Sequence, residues 1–280
     1  MNRRDFLKIM TAGIAGLGLV PDVMAQMQRI RITPRVSDFD NDIKDYLIKM
    51  KSFNEPHEGD IYISRDEYPV FESTVMRLNR LEEFAGHGNF YILSFDEGIK
   101  IADTYSEVGA FPPKELEFLE KLFYAEAVDY GFFGQKTIQK ITDQVNKREV
   151  TRIAESGNYV FKGEPFHTYE KIKKQVGDNV ILTSGIRGVM KQFLLFLNKA
   201  YSNNGNLSLA SRSLAPPGYS FHGNGDFDVG ENDLGSDNFT ERFATTEVYH
   251  RLSELGYLKL RYPAGNLLGV RFEPWHIKVV

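Results

Sequence analysis

The chain contains no cysteine. Disulfides and thiolate metal sites are therefore excluded, and any metal must be held by His, Asp or Glu. There is no Lys/Arg-rich block, and a net charge of −4 over 280 residues gives nucleic-acid binding no electrostatic support. Internal repeats and low-complexity tracts are absent. The apolar stretch from Ile9 to Val20 is shorter than the roughly 20 residues a membrane-spanning helix needs, and glycine interrupts it. What is present is an ordinary soluble composition, 42% hydrophobic and 26% charged, in a chain long enough for one large domain or two smaller ones.

The N-terminal residues read as an address. Arg3-Arg4-Asp5-Phe6-Leu7-Lys8 is a twin-arginine signature, the short apolar stretch follows it, and Val23-Met24-Ala25 places small residues at a cleavage site before Gln26. The expectation is a twin-arginine export signal over 1–25, a periplasmic or otherwise exported product, and no stable membrane span once the signal is removed. The remainder divides into an N-terminal region over 26–150, mixed and mostly helical, and a C-terminal domain over 151–280.

Apolar spacing predicts helices over Asp38 to Ser52, Glu67 to Phe84, Pro113 to about Ala127 and Gly134 to Val145. Phe90 to Leu93 and Ile99 to Ile101 read as a hairpin turning at Asp96-Glu97-Gly98. Further on, helices are expected over Glu170 to Gln175, Val189 to Tyr201 and Phe239 to Leu255. Strands are expected over Asn179 to Thr183, Tyr257 to Tyr262 and Gly269 to Phe272. The Phe193-Leu194-Leu195-Phe196-Leu197 run reads as a buried core helix. The C-terminal half is therefore α+β with an antiparallel sheet.

Two distant fragments carry the chemistry. One is Ser220-Phe221-His222-Gly223-Asn224-Gly225-Asp226-Phe227-Asp228-Val229-Gly230; the other is Glu273-Pro274-Trp275-His276. Together they offer two imidazoles, one or two carboxylates and a separate glutamate, the donor set of a zinc hydrolase with an open position for water. His222, Asp226 and Asp228 differ by even numbers, so on an extended segment all three face one side, and periodicity does not choose between the aspartates. A bend at Pro274 brings His276 to the metal with Glu273 beside it. His57, His87, His167 and His250 have no motif around them and read as surface or locally hydrogen-bonded residues.

These residues resemble a known family. Ser220-Phe221-His222, Gly225 and the following Asp are similar to the Ser-x-His-x-x-Gly-x-Ala-x-Asp motif of the VanY-like D-alanyl-D-alanine carboxypeptidase and dipeptidase zinc peptidases, which share a fold with hedgehog and lysostaphin-type domains. Glu273-Pro274-Trp275-His276 matches the family's Glu-Pro-Trp-His, and Ser184-Gly185-Ile186-Arg187 with Gln192 resembles its Ser-Gly-Tyr-Arg-…-Gln segment. Leu214-Ala215-Pro216-Pro217-Gly218 is similar to the lead-in to the metal motif.

The resemblance implies a hedgehog/DD-peptidase-like antiparallel sheet with flanking helices. It implies Zn2+ bound by His222, Asp228 and His276, with Asp226 as second choice for the carboxylate because the family's spacing is one residue longer. It makes Glu273 the general base acting on zinc-bound water, and Arg187 an oxyanion stabiliser or substrate anchor. Ser184, Gln192 and Ser220 would contact the peptide, and Trp275 would pack under the site. The implied substrate is a peptidoglycan stem peptide, cleaved as a D,D-carboxypeptidase. An endopeptidase of the same fold and a non-catalytic wall-peptide binder are the alternatives. Phe227 in place of the family's Ala and Ile186 in place of its Tyr alter the substrate pocket.

Overall fold

The computed structural model describes residues 45–279. The segment read as an export signal lies outside the described residues. So does part of the helix expected over Asp38 to Ser52, of which 45–51 is helical. Helix α1, Tyr68–Ala85, presents Phe71, Val75, Leu78 and Leu81 at helical spacing to a buried core, and Pro69 stands in its first turn.

The hairpin expected between Phe90 and Ile101 is instead helical. A short helix α2, His87–Phe90, is followed by α3, Phe95–Thr104. Ser94 Oγ accepts from Glu97 N, and the Glu97 side chain accepts from Ser94 N. This reciprocal cap turns the acidic segment into the first turn of a helix rather than the tip of a hairpin. Helix α4, Pro113–Tyr124, starts at the expected Pro pair.

The helix expected over Gly134 to Val145 does not form. Thr137 N and Ile138 N both donate to the Gly218 carbonyl, at 2.8 and 2.9 Å, and Thr137 Oγ1 donates to the Ser220 carbonyl. Those distant acceptors take the donors a helix would have used, and the segment lies along the lead-in to the metal motif.

A small antiparallel pair, β1 (Val150–Arg152) and β2 (Tyr159–Phe161), comes next, then α5 (Glu164–Val176), β3 (Val180–Ser184) and α6 (Val189–Tyr201). Helix α7, Leu207–Ser213, is capped by Asn206, whose side chain accepts from Leu209 N at 2.8 Å. Strand β4 is Phe227–Glu231. The long helix expected over Phe239 to Leu255 is broken: two 3-10 turns precede α8, Glu247–Glu254. Thr240 and Thr246 each cap the turn that follows, by accepting from Arg242 N and Tyr249 N.

Of the last two expected strands, only Leu260 makes a bridge, to Ile277, and Gly269–Phe272 does not pair as a strand. Phe133 N donates to the Leu268 carbonyl, and a Cβ on Gly269 would stand 1.9 Å from the Gly131 carbonyl oxygen, so this stretch is pressed against the 131–133 turn. The last strand is β5, His276–Ile277.

The architecture is α+β. The central sheet has three antiparallel strands in the order β3-β4-β5. One face of β4 carries Phe227 and Val229, which join Val180, Leu182, Tyr169, Ile172, Val248, Leu252 and Ile277 in an apolar core beneath α5 and α8. Strand alternation puts Asp228 on the other face. A second, larger core gathers α1, α4 and α6, with Phe193, Phe196 and Leu197 fully buried, as the run over 193–197 required. That core draws residues from both sides of position 150, and Met50–Val280 is one compact unit. No helix among the described residues is long and apolar enough to cross a membrane.

Candidate metal centre

The sheet register assembles the site. Ser184 on β3 pairs with Asp228 on β4, and Asp228 pairs with His276 on β5, so three functional side chains share one cross-strand row. The pairing shifts between Leu182 and Ser184, an irregularity of the kind that re-aims a side chain at the end of a strand. Glu273 and His276 flank a tight turn at Pro274 and Trp275 in which His276 N donates to the Glu273 carbonyl, so the expected bend is present. His222 arrives differently: it sits in a 3-10 turn, Phe221–Gly223, and not on the extended segment considered from its spacing.

His222, Asp228 and His276 form a group of three buried residues whose ligating atoms lie within 4.8 Å of one another. His222 Nε2 is 3.3 Å from Asp228 Oδ1, and His276 Nδ1 is 3.6 Å from the same oxygen. Ligands of a tetrahedral zinc at bond lengths of about 2.0–2.1 Å stand about 3.3 Å apart, so the spacing fits. His222 Nε2 and Asp228 Oδ1 are buried without a hydrogen-bond partner. Unpartnered buried polar atoms are costly, and two of them converging fit a bound cation.

Each imidazole is locked at the nitrogen facing away from the group. His222 Nδ1 lies 2.7 Å from the Gly185 carbonyl oxygen, and its N–H donates there, which leaves Nε2 as the free lone pair. Gly185 is obligatory: a Cβ would stand 1.9 Å from the Tyr159 carbonyl oxygen. His276 Nε2 lies 3.2 Å from Asp226 Oδ2, which directs Nδ1 toward Asp228 and toward Glu273 Oε2 at 3.3 Å.

Electrostatics follow from this crowding. Burial opposes the charge on Asp228, yet the neighbouring His222 imidazole and the Arg187 guanidinium outweigh burial and hold the carboxyl down at about 2. Burial also disfavours charge on His276, but hydrogen bonds to Asp226 and Glu273 overcome it and raise the imidazole to about 9. Burial and the Arg187 charge push His222 below its ordinary value. His222 thus presents its Nε2 lone pair, Asp228 a carboxylate oxygen and His276 its Nδ1 to one point.

The remaining residues of the motif segments surround this group. Arg187 donates from Nη2 to Asp228 Oδ2 at 2.5 Å and from Nε to Ser184 Oγ at 2.9 Å, leaving Oδ1 to the ligand set. Gln192 is buried and spans two loops, donating to the Arg187 carbonyl and accepting from Gly218 N, both at 2.8 Å. Ser220 is buried at the turn that carries His222. Trp275 is buried against the Phe239 ring and the Arg271 guanidinium, and its carbonyl accepts from Val229 N. His87, His167 and His250 are exposed, and His57 bonds the Ser52 carbonyl.

Three contributors escaped the sequence reading: the Gly185 carbonyl, the backing of His276 by Asp226, and Arg261. A carbonyl leaves no mark in a sequence. Arg261 stood in a segment read as a strand, where its only signal was a charge beside buried Tyr262.

Residues 164–280 match the VanY family model, D-alanyl-D-alanine carboxypeptidase. That is the family the motifs resemble, and the match spans every motif segment. Three solved structures are similar, each over 54% of this chain. VanYB in complex with D-alanine-D-alanine is 24% identical over 86% of its length, TM-score 0.41. The vancomycin-resistance D,D-dipeptidase VanXYg with a D-Ala-D-Ala phosphinate analogue is 18% identical over 62%, TM-score 0.42. A zinc complex of the D,D-pentapeptidase VanY from a VanB-type resistance cassette is 24% identical over 88%, TM-score 0.40. No curated protein sequence matches.

Proposed function

We propose that this chain is an exported zinc peptidase that removes the terminal residue of peptidoglycan stem peptides as a D-alanyl-D-alanine carboxypeptidase. The observation that carries this reading is the convergence of His222 Nε2, Asp228 Oδ1 and His276 Nδ1, with Glu273 Oε2 3.3 Å from the last of them. Two nitrogens, one carboxylate oxygen and no thiolate suit zinc with an open coordination position. Zinc held there supplies a Lewis acid that polarises the scissile carbonyl and acidifies water.

The chain's own groups do the rest. Glu273, at the edge of the ligand set, accepts the proton of the attacking water and returns it to the leaving amine. Arg187 holds Asp228 by one oxygen and places a permanent positive charge beside the carbonyl oxygen as it gains negative charge. The same guanidinium suits the terminal carboxylate of a peptide. Ser184 ends β3 and Ser220 immediately precedes the His222 turn; in this reading both contact the peptide.

The test is hydrolysis of a synthetic stem peptide ending in D-Ala-D-Ala by zinc-loaded protein, read by mass spectrometry. Release of a single D-alanine is expected. Internal cleavage would make the chain an endopeptidase, and tight binding without cleavage would make it a wall-peptide binder. Export rests on Arg3-Arg4 and the segment to Ala25. Replacing both arginines with lysine is expected to leave the protein in the cytoplasm; unaltered export would contradict the twin-arginine route.

A further inference from the structure

Asp226 is almost fully buried and does not belong to the group of three ligands, although it lies two residues from one of them. Its two oxygens are engaged elsewhere. Oδ2 accepts from Arg261 Nε at 2.8 Å and faces His276 Nε2 at 3.2 Å. Oδ1 accepts from Arg261 Nη2 at 3.2 Å and from Val279 N at 2.9 Å. The Arg261 guanidinium lies 3.7 Å over the ring of Phe221, the residue immediately before His222. The Tyr262 ring meets His276 edge-on at 5.2 Å.

A single buried carboxylate therefore reaches both imidazole-bearing elements. It holds the His276 ring directly and the chain just past β5 through Val279. It holds the His222 turn through the Arg261–Phe221 stack. An ionised carboxylate only accepts hydrogen bonds, so the nitrogen it faces must carry hydrogen. His276 is thereby left with Nδ1 as the nitrogen whose lone pair faces the ligand group. Resting on the zinc reading above, we propose that Asp226, fixed by Arg261, is a positioning residue: it sets the tautomer and ring orientation of His276 and braces the His222 turn, so that the two ligands are prearranged for zinc. The two histidines are backed unequally, His222 by a neutral carbonyl and His276 by a carboxylate, and a carboxylate behind an imidazole makes it the more basic ligand.

The experiment measures zinc affinity of the metal-free protein by chelator competition, with cobalt(II) substitution to report ligand geometry through its visible absorption. Asp226→Asn is expected to weaken zinc roughly 10- to 100-fold and to alter the cobalt spectrum, while Asp228→Asn removes stoichiometric zinc altogether. Arg261→Gln is expected to weaken zinc less, by up to about 10-fold, and it decides the question if Asp226→Asn does not fold. An affinity within about 3-fold of wild type with an unaltered cobalt spectrum overturns the proposal. So does an exchange of roles, in which Asp226→Asn loses zinc and Asp228→Asn keeps it. Wild-type protein that binds no zinc removes the zinc reading as well; wild type that binds zinc beside an unaffected Asp226→Asn removes this inference alone.

Discussion

The two faces of β4 are one residue apart and serve opposite ends. Phe227 and Val229 enter an apolar core beneath α5 and α8, where burial stabilises the fold without directional demands. Asp228, between them, enters a cluster of imidazoles, carboxylates and a guanidinium that is just as buried. Packing charged groups at that depth costs stability unless each finds a partner. Most do, through Arg187, Arg261 and the Gly185 carbonyl, but His222 Nε2 and Asp228 Oδ1, 3.3 Å apart, have no hydrogen-bond partner. The apolar face explains why the strand stays in place; the polar face shows what it is placed to do.

The largest effects are expected at the ligands of the polar face. His222→Ala and His276→Ala are each expected to reduce bound zinc to background, measured by metal analysis after dialysis against trace zinc. Retention of a full equivalent by either would separate the residues from the metal.

Glu273→Ala sharpens the division within the polar face. It is expected to keep zinc and lose about 10²- to 10⁴-fold in turnover of a D-Ala-D-Ala peptide, the range for a general base. Full activity would remove Glu273 from that role.

On the apolar face, Phe227→Ala is expected to destabilise the metal-free protein by about 3–5 kcal/mol, read as a lowered denaturant midpoint. A cost under about 1 kcal/mol would mean that this face is not the anchor described.

A smaller effect tests a buried ion pair far from the strand in sequence. Asp60 accepts two hydrogen bonds from Arg212 at 2.7 and 3.0 Å. Burial opposes its charge, but the Arg212 hydrogen bonds prevail and lower it from 3.8 to about 2. Because the folded value is the lower one, the pair's contribution is complete above the ordinary carboxylate range and is lost as pH falls through about 2. About 2 kcal/mol of acid-sensitive stability is expected to disappear in Asp60→Asn, seen as a flatter stability profile between the two values. An unchanged profile would contradict it.

The least effect is expected from Ser94→Ala, about 0.5–2 kcal/mol, with zinc affinity unaltered. A change in zinc binding there would show that the helical part and the site are coupled.

What was legible in the sequence divides along the same line. His222, Glu273 and His276 could be read because zinc chemistry admits few residue types, Asp228 was preferred to Asp226 only through the family resemblance, and the structure gathers all four. Helices α1 and α6 could be read because Val75, Leu78 and Leu81, and Phe193 and Leu197, repeat at helical spacing, although Phe84, read on the same face, is exposed. The stretch from Phe90 to Ile101 was misread although Ser94 and Glu97 stood at capping-box spacing; short apolar runs suit strand and helix equally, and the cap was the stronger signal. Gly134 to Val145 has helical spacing, but its fate was decided by the Gly218 carbonyl some eighty positions away. Asp226 and Asp228 share a periodicity and differ only in their partners, which become visible in three dimensions.

The most direct measurement is anomalous diffraction at the zinc absorption edge from crystals of the protein loaded with one equivalent of zinc. A single peak is expected at about 2.0–2.1 Å from both His222 Nε2 and His276 Nδ1, with Asp228 as the carboxylate ligand. A peak bonded to Asp226 in place of Asp228, or one lying away from both imidazoles, would contradict it.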